Sequence, residues 1–88
     1  MKITLKQKKD IASDLHTIID INRVGSDEID FITDILKSFE KQPLKELTRE
    51  KLITIREQVK DLQGWSARFS GDERYISNCV VKLIDSIV

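Results

Sequence analysis

The stretch that most constrains this chain is its last, Gly71 to Val88, reading GDERYISNCVVKLIDSIV. On a helix turning about 100° per residue, Tyr75, Ile76, Cys79, Val80, Val81, Leu83, Ile84, Ile87 and Val88 cover roughly 240° of the surface. Arg74, Asn78, Lys82 and Asp85 make up the polar strip that is left. A helix this apolar has to be covered on more than one side, so it belongs at the centre of a bundle or against a second chain. A helix over 72–87 is predicted, and its start carries helix signals. Ser70 is a candidate cap, Glu73 three residues on completes a capping box, and Asp72 and Glu73 suit the positive end of the helix dipole.

Three more helices are expected upstream. Thr4 and Gln7 form a capping-box pattern, and Ile11, Leu15, Ile18 and Ile19 follow at helical spacing, which predicts a helix over 5–22 ended by Gly25. Ser26 caps the next, over 27–41, whose inward face is Ile29, Ile32, Ile35, Leu36 and Phe39 with Phe31 on the flank. Pro43 cannot continue a helix, and it pushes Gln42 out of the helical region. Leu44 to Leu47 suit a short turn, and Thr48 is the cap of a helix over 49–68 with Leu52, Ile55, Val59, Leu62 and Phe69 on a 3-4 spacing. Gly64 lies inside that last range at a cost of about 1 kcal/mol relative to alanine, yet Trp65 and Phe69 keep the helical phase beyond it. No strand-like alternation or hairpin turn signal interrupts the pattern. The fold class expected is all-α: one antiparallel up-and-down bundle over residues 1–88, with the third and fourth helices as its central hairpin.

Composition narrows the function classes. Fifteen basic residues balance fifteen acidic ones, so no global field draws the chain to nucleic acid or an acidic membrane. The charge is unevenly placed: residues 1–10 carry +3, residues 11–40 carry −5 and residues 41–60 carry +3. The single cysteine, Cys79, permits no internal disulfide. No run reaches the length of a membrane span and the first residues lack the apolar centre of a signal peptide, so a cytoplasmic location is expected.

Catalysis has little to work with. His16 falls off the core stripe of the first helix, and Cys79 lies on the apolar arc of the last, so no nucleophile has a base beside it. Gly25, Gly64 and Gly71 are isolated and form no phosphate loop. Soft ligands are too few for zinc, and Asp27, Asp30 and Asp34, although on one helix face, lack the loop oxygens a hard cation needs. No enzyme activity, cofactor or metal is expected. A helix-turn-helix reading of the first two helices would present Asp27, Glu28 and Asp30 to phosphates, which repel them. The basic residues of 41–60 interleave with Glu46, Glu50 and Glu57 at spacings of intrahelical pairs.

What remains is binding. Asp27, Glu28, Asp30 and Asp34 suit the steering of a basic partner, although acids outside a helix more often form its solvated face. Trp65, Arg68 and Phe69 form the cluster most like an interface anchor, although both rings could instead close the bundle end over Val59 and Leu62. The segment WSARFSGDER, Trp65 to Arg74, resembles the opening segment of immunity proteins for pediocin-like bacteriocins, which are small cytosolic helical bundles. There the segment begins the chain and here it stands near the end; it spans ten residues and carries no functional motif, so no family is assigned from it. The function expected is non-catalytic binding of another protein, in the manner of a small immunity, antitoxin or phage-type inhibitor that occludes a site on its target. The alternatives are a homodimer through the last helix and, behind it, a dimeric DNA-binding regulator using residues 41–60.

Overall fold

The computed structural model describes residues 2–21, 26–65 and 71–88, with Ser26 and Trp65 described by backbone alone. Four helices make an all-α bundle: α1 Leu5–Ile21, α2 Ser26–Lys41, α3 Arg49–Trp65 and α4 Asp72–Ile87, with a 3₁₀ turn at Leu44–Glu46 between α2 and α3. Local chemistry sets several of these limits. At the start of α1 the Gln7 amide donates to Thr4 Oγ1 at 3.1 Å and the Thr4 amide donates to Gln7 Oε1 at 2.8 Å, the two reciprocal bonds of a capping box. Thr48 accepts from the Lys51 amide at 3.3 Å and so caps α3. Pro43 takes an extended backbone and separates α2 from the 3₁₀ turn. Helix α3 runs through Gly64; residues 66–68, where the sequence pattern extends it, lie outside the described residues, as do Asn22, Gly25 and Ser70.

The core draws on every helix. Ile11, Leu15 and Ile18 of α1, Ile32, Leu36 and Phe39 of α2, Leu52, Val59 and Leu62 of α3, and Val80 and Ile84 of α4 are buried together with Ile3 and Leu47. Helix α4 is covered by α1 and by α3, as its wide apolar arc requires. Its broadest packing is against α1, so the central pair is α1 and α4, and not the α3–α4 hairpin that sequence order suggests.

Polar side chains fix the registers. Arg56 of α3 donates to Asp85 of α4 at 2.7 Å, while Gln63 of α3 donates to Asn78 of α4 at 2.9 Å and to Ser77 Oγ. As α3 advances from 56 to 63 its partners on α4 retreat from 85 to 78, so these two helices are antiparallel. Ser77, fully buried, donates from its hydroxyl to the Arg74 carbonyl at 2.8 Å and accepts from Gln63, so it is satisfied in both directions. The hydrogen bonds to Asp85 and to Glu57 hold the Arg56 guanidinium above its ordinary pKa. Lys8 of α1 donates to the carbonyl of Gln42 at 2.6 Å and to that of Glu40 at 3.4 Å, placing a cation on the orphan carbonyls that end α2.

Two residues of α4 depart from the expected arc. Tyr75 is 71 % exposed, and Glu73, read from the sequence as half of a capping box, is buried. Gly71 stands at the cap position, its carbonyl accepting from the Tyr75 amide at 3.0 Å, and Ser70 lies outside the described residues. Glu73 stands four, seven and eleven residues before the buried Ser77, Val80 and Ile84 and so shares their face, whereas Tyr75 stands three and seven before the exposed Asn78 and Lys82.

In α1, burial pushes the Asp14 carboxyl above its ordinary pKa, and the neighbouring Asp10 charge raises it further. The folded chain therefore binds this proton more tightly than the unfolded chain does, and stability falls as pH rises through the interval between the two values. Asp14→Asn removes that loss. The variant is expected to gain up to about 0.5 kcal/mol at neutral pH and nothing below the ordinary carboxylate range, as read by thermal unfolding at the two pH values. A gain that persists at low pH would show that the carboxylate charge is not its cause.

Candidate functional site

The ring of helix contacts, α2 to α1 to α4 to α3, closes only weakly where α3 returns to α2. Along that seam lies an open groove of about 480 Å³. Its apolar part is Phe31, Ile35 and Phe39 from α2, Ile55 from α3 and Leu47 from the connection. Phe39 and Leu47 are core residues seen from their outer side, whereas Phe31 and Ile55 are half-buried and face the opening. Ser38, Gln42, Thr54 and Gln58 add neutral polar groups, and Asp34, Glu50 and Lys51 are its charged members. At one end the side-chain oxygen of Gln42 is closed off from solvent and accepts no hydrogen bond among the described residues. Such a buried acceptor favours any donor brought to it.

The acidic residues expected to steer a partner divide. Asp27, Asp30 and Asp34 are exposed on α2, and none of them forms an ion pair among the described residues. Glu28 is buried, at 8 % exposure, and does not belong to that face. The physical reason is the helical turn: one position from Asp27 is a rotation of about 100°, which carries Glu28 off the solvated strip toward the packed side. Asp34 alone of the four lines the groove. Of the aromatic cluster, Trp65 closes α3 by its backbone, and Arg68 and Phe69 lie outside the described residues.

Sequence reasoning did not find the groove. Phe31 on the flank of its helix was the one hint, because an aromatic beside a complete apolar stripe widens the face beyond what one neighbour covers. Ser38, Thr54 and Gln58 carry no signal of their own in the sequence; they are ordinary exposed helix residues until two helices set them across a seam.

Other surfaces are less suited to chemistry. His16 is exposed, with Nε2 3.4 Å from Glu40 Oε1, an ion pair when the imidazole is protonated. Cys79 is a free thiol of intermediate burial. Among the described residues no group of three or more His, Cys, Asp and Glu side chains is placed to hold a metal ion, and no helix is long and apolar enough to cross a membrane. A second open depression, about 640 Å³, lies over Ile3, Leu44 and Leu47 and is rimmed by Lys2, Lys45 and Arg49. The first hollow thus carries two acids and one lysine and the second three cations, and they share Leu47 as a partition. No family model, curated protein or solved structure matches this chain.

Proposed function

We propose that this chain is a non-catalytic protein-binding module, an inhibitor of the immunity, antitoxin or phage type that occludes a site on a target with a basic surface. The observation that carries the reading is the exposed acidic strip Asp27, Asp30 and Asp34, without ion pairs among the described residues, beside an apolar groove that Asp34 helps to line. Acids held in water at a fixed spacing raise the rate of encounter with a basic surface, and adjoining apolar side chains supply the area that holds it. A homodimer through α4 has less support, because Val80, Val81 and Ile84 are buried within the chain and Ile76, Leu83 and Ile87 are half-covered by it.

The test is capture of a partner on the immobilised chain, followed by association kinetics of the recovered protein over a range of salt. The expected result is a rate that falls with ionic strength and drops about tenfold at low salt in the variant carrying Asp27→Asn, Asp30→Asn and Asp34→Asn together. A retained protein whose association rate and salt dependence are the same for both chains would remove the steering role. If no protein is retained at any salt, the binding reading itself fails.

A further inference from the structure

We infer that the α2–α3 groove receives a single amphipathic helix of the partner, about three turns long, with one apolar stripe and lysine or arginine on both flanks. This rests on the protein-binding reading and specifies its mode. Length comes first. Along α2 and the residue just past its end the groove runs from Phe31 to Gln42, roughly 16 Å at 1.5 Å per residue, and on α3 from Glu50 to Gln58, roughly 12 Å. Both match a helix of about ten residues.

The backbone of the occupant argues for a helix as well. Two helical walls meeting along a thin seam leave a trough into which a third cylinder packs at the usual 8–10 Å between axes. An extended segment would bring a row of amide and carbonyl groups onto Phe31, Ile35 and Ile55, where no strand edge exists among the described residues to pair with them. A helix satisfies those groups internally and offers apolar side chains at three- and four-residue spacing.

Charge selects the flanks. Asp34 stands on the α2 wall and Glu50 on the α3 wall, with Asp30 and Asp27 continuing the acidic side along α2, while Lys51 is the one cation lining the groove among the described residues. The walls therefore attract cations on both sides of an apolar centre.

The experiment titrates the intact chain with a synthetic helical peptide of about fifteen residues, its leucines spaced three and four apart between lysines, and follows backbone and methyl NMR shifts. Two control peptides have the same leucines scattered around the helix, or glutamate in place of lysine. The expected shifts fall on Ile35, Ser38, Thr54 and Ile55, and both controls bind about tenfold more weakly. Ser38→Arg and, separately, Thr54→Arg place a bulky cation at exposed positions of the groove, and each is expected to weaken the lysine peptide about tenfold with unchanged thermal unfolding. Equal binding of the scattered peptide, or shifts confined to another face, would overturn the inference. So would a solution mass that rises with protein concentration and reverts to monomer in Ser38→Arg, since the occupant would then be a second copy. A captured partner that depends on the α2 acids and ignores Ser38→Arg would sink the groove while leaving the protein-binding reading in place.

Discussion

Ile84→Ala is expected to destabilise the chain by about 3 kcal/mol, and to lower its melting temperature by roughly 12 to 24 °C for a domain of this size. Ile84 has no exposed surface and sits in the core cluster that joins all four helices. Removing its outer carbons forfeits their transfer energy and leaves a cavity between helices that cannot fully close over it. A chain of 88 residues has only about 4 to 13 kcal/mol of total stability, so a single cavity removes a large share of it. Tyr75→Ser on the same helix is the comparison. Its ring is 71 % exposed, and the change is expected to stay within about 0.5 kcal/mol. Urea unfolding of the two variants measures both, and an Ile84→Ala loss below about 1 kcal/mol would show that α4 does not carry the core in this orientation.

The second large effect is of opposite sign at two glycines. Gly71 has φ 61° and ψ −127°, a conformation from which the Cβ of other residues is excluded, and no heavy atom lies within 4 Å of where that Cβ would stand. Gly71→Ala is therefore expected to cost about 2 kcal/mol through backbone strain alone, with no steric clash to relax. Gly64 also has open space around its Cβ position, but it lies inside α3. There alanine lowers the entropy of the unfolded chain without strain in the folded one, and Gly64→Ala is expected to stabilise by about 0.5 to 1 kcal/mol. The two variants should move the urea midpoint in opposite directions at an unchanged slope. If Gly71→Ala were neutral, the entry to α4 would not need its left-handed turn, and if Gly64→Ala destabilised, α3 would not pass through that position as a helix.

These predictions separate two kinds of information. The helices themselves were legible because their signals are local. Thr4 and Gln7 cap each other across a single turn, Pro43 lacks the proton a helix would use, and the apolar stripes of α1 and α2 repeat at the spacing that buries Ile11, Leu15, Ile18, Ile32, Leu36 and Phe39. Each of those facts involves residues within a few positions of one another, so no knowledge of neighbours is needed to state it.

Which helix meets which was decided only in three dimensions. Periodicity gives the direction of a face in the frame of its own helix, and says nothing of the partner that covers it. Helix α4 could have spent its wide arc on α3 or on a second chain; it spends the broadest part on α1, and that choice leaves α2 and α3 in thin contact with a groove between them. Glu28 and Glu73 show the same limit at single residues. Both read as first-turn acids suited to a helix dipole, and both are buried, because a rotation of about 100° per position carries a residue from the solvated strip to the packed side. The sequence by itself determined that this chain is helical, where its helices are capped and broken, and that its acids gather on α2, since these follow from backbone chemistry and local spacing. Tertiary structure alone decided the central pair, the burial of those two glutamates and the acid-flanked groove, since each depends on the relative rotation of helices far apart in the chain.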